Sequence, residues 1–165
     1  LIQTERKTEM SELYNLTNQA AANGFTKKFI VTHADLTESS DRTAQTLTFP
    51  LHAGQIVRNV SYKLVTAFND SGGGDELDVE VGDTADPNGF LTDTQGDLHA
   101  DQTPNTYGDG AGVYTAAAGK VYNEADTLDF KFFPDRANNT PYSLAELNAG
   151  EIHFYVNILD LSEQT

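Results

Sequence analysis

Residues 56–68 read IVRNVSYKLVTAF and residues 76–82 read ELDVEVG, with NDSGGGD between them. In the first stretch Val60, Tyr62, Leu64, Thr66 and Phe68 fall on one side, and Ser61, Lys63 and Ala67 on the other. In the second, Leu77, Val79 and Val81 alternate with Asp78 and Glu80, which are expected to point to water. Successive side chains of an extended chain point to opposite faces, so this period of two predicts strands with one apolar face each. The glycine-rich link predicts a turn from which the second strand returns.

The same period recurs on both sides. FTKKFIVTH (25–33) is β-branched and aromatic. AQTLTFPL (44–51) alternates Leu47, Phe49 and Leu51, and its Pro50 marks an edge or a strand end. TLDFKFF (127–133) sets Leu128, Phe130 and Phe132 against Asp129 and Lys131, and GEIHFYVNILDL (150–161) places Ile152, Phe154, Val156 and Ile158 together. Short strands are expected at 89–92 and 112–115 as well. No helical pattern separates consecutive strands, which argues against a parallel α/β sheet. The expectation is all-β, an antiparallel β-sandwich of jelly-roll type.

Helical spacing occurs only before residue 25, where Met10, Leu13, Tyr14 and Leu16 recur and Asn23-Gly24 supplies a stop. The expected organisation is therefore an N-terminal arm or helix over 1–25 and a single β-sandwich domain over 26–165. A helix this short is marginal alone and needs a partner surface. Two readings follow: it packs on its own domain, or it is an arm that docks on a neighbouring subunit through Met10, Leu13, Tyr14 and Leu16.

Composition narrows the class. A chain of 165 residues suits one domain. With no cysteine, disulfides and thiolate metal sites are excluded, which fits folding in a reducing cytoplasm. No run of about 18 apolar residues predicts a membrane span, and LIQTERKTEM lacks the apolar stretch of a signal peptide. A start at Leu1 leaves an upstream leader open. The net charge is −15, and between Lys63 and Lys120 eleven Asp and Glu occur with no Lys or Arg. Phosphate recognition needs clustered cations, so no nucleic-acid partner is expected.

The acidic stretch VGDTADPNGFL (81–91) poses the question of a metal loop. An EF-hand loop needs oxygen ligands at alternate positions and a bidentate Glu at the twelfth. Counted from Asp83, those places hold Ala85, Pro87 and Thr94. Asp86-Pro87-Asn88-Gly89 instead carries the residues a tight turn favours, with Phe90 and Leu91 re-entering the core and the acids solvated; the alternative is a calcium site of another kind from Asp83, Asp86, Asn88 and Asp93. His33, His52, His99 and His153 are scattered without metal-ligand spacing and read as exposed structural residues. GDGAG (108–112) reads as a loop. Tyr107, Tyr114, Tyr122 and Tyr142 read as anchors flanking turns rather than as a sugar-stacking platform. No catalytic, cofactor or metal residue is assigned, and no enzyme is expected. The span 82–119, dense in Gly, Asp, Thr and Asn, is long for a loop and reads as functional or as a docking element.

TLTFPLHAGQIVRNVSYKLVTAFND, LDVEVGDTADPNGFL, YNEADTLDFKFF and GEIHFYVNILDL together resemble small virion structural proteins of tailed bacteriophages. The likeness rests on Gly54, Val57 and Val60, Thr66 to Phe68, Val81 to Asp83, Asp86 to Phe90, Ala125 to Leu128 and Gly150 to Ile152, and spans about residues 44–160. The resemblance implies a head decoration (cement) protein, a β-sandwich bound to the outer surface of the capsid. Its partners would be the major capsid protein and, in a homo-oligomer, further copies of itself. It would be made in the host cytoplasm and end on the virion exterior. The alternative is a receptor- or glycan-binding module of a phage fibre or tail.

Overall fold

The computed structural model describes residues 24–70, 77–98, 106–134 and 141–162. Met10, Leu13, Tyr14, Leu16 and His99 lie outside the described residues. In chain order the strands are β1 (Lys27–Thr32), β2 (Gln45–Leu51), β3 (Gln55–Asp70), β4 (Leu77–Gly82), β5 (Thr106–Asp109), β6 (Lys120–Tyr122), β7 (Asp126–Pro134) and β8 (Leu147–Asp160). One four-residue helix, α1 (Val113–Ala116), lies between β5 and β6.

The strands form two antiparallel sheets. In the first the order is β1-β8-β3-β5, with β6 joining β3 further along; in the second it is β2-β7-β4. The opening pair of strands is therefore not a hairpin. β3 pairs with β8, and β4 pairs with β7, so the chain changes sheets between them. Alternation alone does not distinguish these outcomes, because both sheets bury one face of each strand.

Apolar faces of the two sheets meet in one core. Phe29 and Phe154 of the first sheet lie 5.4 and 4.7 Å from the Phe130 ring of the second, and Phe68 lies 6.3 Å from Phe132. Leu47, Leu51, Val79, Val81 and Leu128 fill the second sheet's face, while Val57, Val60, Leu64, Ile152 and Val156 fill the first. Each such side chain contributes on the order of 2 kcal/mol on leaving water, so this layer dominates the stability.

Three expectations need correction. Thr66 is exposed, because pairing with β8 slips between Leu64 and Thr66 and again before Asn69. A one-residue slip turns the following side chain to the other face. Glu80 is buried rather than solvated. The strand expected at 112–115 is largely α1, and at 89–92 only Leu91 bridges, to Val81. Two short strands, β5 and β6, instead occupy the edge of β3.

Candidate functional site

At the end of β4 the backbone turns sharply. A β-carbon on Gly82 would sit 2.0 Å from the Asp86 carbonyl oxygen, so only glycine lets residues 83–88 fold back onto the strand. Asp83 opens this turn. Its Oδ1 accepts the amide N–H groups of Ala85 and Asp86, each at 3.0 Å, and the amide of Gly89 donates to Asp86 O at 3.1 Å. The tight turn at 86–89 is as expected. Solvated acids are not: Asp83 is completely buried.

What makes that burial tolerable comes from the start of β6. Lys120 Nζ donates to Asp83 Oδ2, and Tyr122 OH donates to the same oxygen at 2.9 Å. Tyr114 OH lies 3.3 Å from Asp83 Oδ1 and receives a hydrogen bond from Lys120 Nζ at 3.0 Å. The ammonium also lies 4.6 Å from the centre of the Tyr114 ring and 5.2 Å from that of Tyr122. A buried carboxylate is costly unless paired and hydrogen-bonded. Asp83 has a cation, two phenols and two amides. Gly119 delivers the lysine, with φ +113 and room for no β-carbon beside the Val57 carbonyl.

The protonation states are fixed in one direction. Burial pushes the Asp83 carboxyl up, but Lys120, the Asp86 amide and Tyr122 outweigh it and hold it below the usual carboxylate range. Burial likewise lowers Lys120, and the hydrogen bonds to Asp83 and Tyr114 reverse that and raise it. Desolvation raises both Tyr114 and Tyr122, the latter helped by its bond to Asp83. General acid–base work needs a group poised near the working pH. Every member here is shifted away from neutrality, which favours the charged Asp83–Lys120 pair with both phenols protonated.

Its mechanical effect is to tie the second sheet to the edge of the first. The 83–91 turn is further fastened by the amides of Tyr114 and Gly112, which donate to Gly89 O at 2.8 Å and Phe90 O at 3.1 Å. Phe90 meets Tyr114 edge-on at 5.1 Å. Gln95 clamps the neighbouring segment: its carbonyl oxygen receives Tyr62 OH at 2.7 Å, and its side chain receives the Ala111 amide at 2.9 Å. The described parts of 82–119 are thus a packed element and not a free loop. Beneath the turn, Asp129 Oδ1 is buried without a hydrogen-bond partner.

Tyr122 and Tyr142 are buried anchors, as expected, and Tyr114 is half-buried. Tyr107 differs, standing 71% exposed on the outer face of the first sheet, with Lys63 Nζ 5.6 Å from its ring centre. In the same row His153 is half-buried and bonded to Glu151 at 2.5 Å. Burial, with Lys28 and Lys63 nearby, holds the imidazole below its ordinary value against the pull of Glu151. Among the described residues no three His, Cys, Asp or Glu side chains converge as a metal site, and no helix is long and apolar enough to cross a membrane.

The Asp83 cluster had a sequence signal that period-two reading passes over. Lys120 is the first cation after a span of Asp-rich sequence starting at Lys63, and it is flanked by Tyr114 and Tyr122. A lysine between tyrosines, ending a long stretch without Lys or Arg, points to a specific partner. No family model, no curated protein and no solved structure matches this chain.

Proposed function

We propose that this chain is a virion structural protein of a tailed bacteriophage, a decoration or cement protein that binds the outer surface of the head and strengthens contacts between capsid subunits. The observation that carries the reading is strand order. β1-β8-β3-β5 faces β2-β7-β4, and Leu91 and Asp97 bridge onto β4 at its open side. With that bridged segment beside β4, and with β5 and β6 sharing one edge of β3, the order is compatible with a jelly-roll sandwich, an architecture common in capsid and lectin domains, and this supports the reading. The sequence resemblance to phage virion proteins points the same way, and the charge of −15 suits a surface turned away from packaged DNA.

Such a protein acts by contact area. About 800 Å² per partner makes an ordinary specific interface, and repetition over a symmetric shell multiplies a modest affinity. The major capsid protein and further copies of the chain are the partners in this reading. Cryo-electron microscopy of the virion that encodes the chain tests it. Density of this domain over the whole head lattice is the expected result, and density confined to the tail overturns it.

A second reading has one observation in its favour. Exposed Tyr107, with Lys63, His153 and Tyr155 beside it on one sheet face, offers ring and cation chemistry to a glycan, as a fibre or tail module would. Tail-tip density together with glycan-array binding lost in Tyr107→Ala would establish it instead.

A further inference from the structure

Over its middle the outer face of the first sheet mixes Lys28, Lys63, Glu151 and His153 with Ile30, Tyr107 and Tyr155. At one end it changes character. Ile56 of β3 stands between Leu159 of β8 and Val121 of β6 in direct register. Leu161 follows two residues after Leu159, held beside β3 by its amide bond to Gly54 O at 3.0 Å. Leu159, Leu161 and Val121 are 36%, 47% and 52% exposed, three of the five large apolar side chains left open among the described residues. Cross-strand neighbours lie about 5 Å apart, so these four residues form one continuous strip.

The chain itself indicates what covers it. β1 runs antiparallel to β8 with Lys27 opposite Val156. Thr26 continues the pairing, donating its amide to Val156 O at 2.9 Å while its Oγ1 accepts the Ile158 amide at 2.8 Å. Followed toward the N-terminus, the backbone reaches Gly24 beside Asn157 and so arrives at the edge of the strip. Beyond it come residues 1–23, whose apolar content is concentrated at Met10, Leu13, Tyr14 and Leu16. The link 17–23 spans up to about 25 Å when extended. The strip is only three strands wide, roughly 10 Å from β8 to β6.

We propose that the strip Leu159–Ile56–Val121–Leu161 is the docking site for Met10, Leu13, Tyr14 and Leu16 of the same chain. Four side chains are too few for a stable contact between two folded domains, which takes about 800 Å² on each side, but they match one short apolar segment. Tethering at Gly24 gives the chain's own segment a high effective concentration that a second copy lacks. Of the two readings of the N-terminal residues, this selects packing on their own domain, and it holds whatever assembly the protein joins.

The chain has no cysteine, so a single nitroxide can be placed on Val121→Cys in the full-length protein. The expected result is that amide NMR signals of residues 10–16 lose most of their intensity within the labelled chain. They recover in the Leu159→Asn, Leu161→Asn background, and a label on exposed Arg58→Cys beside the strip reproduces the pattern. Thr48→Cys, exposed on the other sheet, leaves those signals intact. Loss of signal only when labelled chains are mixed with unlabelled isotopically enriched ones assigns the strip to a second copy and overturns the proposal. No loss, or a loss that survives the two asparagine substitutions, overturns it as well.

Discussion

The two sheets are joined twice, by opposite physics. In the middle, Phe29, Phe68, Phe130, Phe132 and Phe154 interleave from both sides in an apolar layer. At one end, a buried carboxylate, a lysine and two tyrosines do the joining. Apolar burial is non-directional, so the ring layer stabilises many ways of stacking two sheets. The Asp83 cluster is directional: its carboxylate is bonded by Lys120, Tyr122, Tyr114 and the Ala85 and Asp86 amides together only when the 83–91 turn sits against β6 as it does here. The first contact supplies most of the stability. The second selects which closed arrangement is stable.

The apolar joint carries the largest expected effect. Phe130 is fully buried between Phe29 and Phe154. Phe130→Ala removes a ring that neighbours cannot replace and is expected to cost about 3–5 kcal/mol in chemical denaturation. A loss below about 1 kcal/mol would mean the two sheets are held elsewhere. Next comes the polar side. Asp83→Ala leaves Lys120 and two tyrosine hydroxyls without their acceptor and is expected to cost about 3 kcal/mol. Asp83→Asn keeps an oxygen for the Ala85 and Asp86 amides and should cost less, and its remaining loss relative to wild type reports the charge. In both variants amide exchange of residues 83–91 and 111–120 should accelerate more than that of β3 and β8. Uniform acceleration would show that the cluster is part of the general core rather than a local lock.

pH sharpens the same contrast. Because Asp83 is held below its unfolded value, its contribution is fully present above the ordinary carboxylate range, about pH 4, and is lost as pH falls through its folded value. The ring layer has no such dependence. Wild type should therefore converge on Asp83→Asn in stability as acid is added, and a constant gap down to low pH would remove the carboxylate from the account.

These two joints differ also in how far the sequence discloses them. Leu128-Phe130-Phe132 and Ile152-Phe154-Val156 announce their buried faces by alternation, a property each strand carries by itself. Sheet membership is not such a property: β4 reads the same whether it pairs with β3 or β7. Thr66 is misread because the bulges in β3 arise from its pairing with a strand some ninety residues away. Asp83 is misread for a related reason. Local chemistry correctly gives a turn at 86–89, but burial of Asp83 depends on Lys120, 37 positions on, being brought back by a Gly119 conformation that composition does not encode. Metal-loop spacing is a local test, and the stabilising cation is a remote side chain.

Asp129 supplies the smallest expected effect and the most discriminating sign. It lies opposite Gly82 in the β4–β7 pairing, with one carboxylate oxygen buried and unpartnered. Burial raises its pKa, helped by the like charges of Asp126 and Asp83, although a Thr127 hydrogen bond pulls the other way. A carboxyl raised on folding destabilises the native state above its folded pKa, and the penalty fades as pH falls toward the unfolded value near 4. That is the reverse of Asp83, on the same turn. Asp129→Asn should therefore raise stability at neutral pH, by about 1 kcal/mol on the usual scale of an unsatisfied buried group. The gain should shrink in acid while the loss from Asp83→Asn shrinks too, so the two variants approach wild type from opposite sides. If Asp129→Asn is instead destabilising at neutral pH, the carboxylate has a stabilising partner in solution and the turn rests on two acids rather than one.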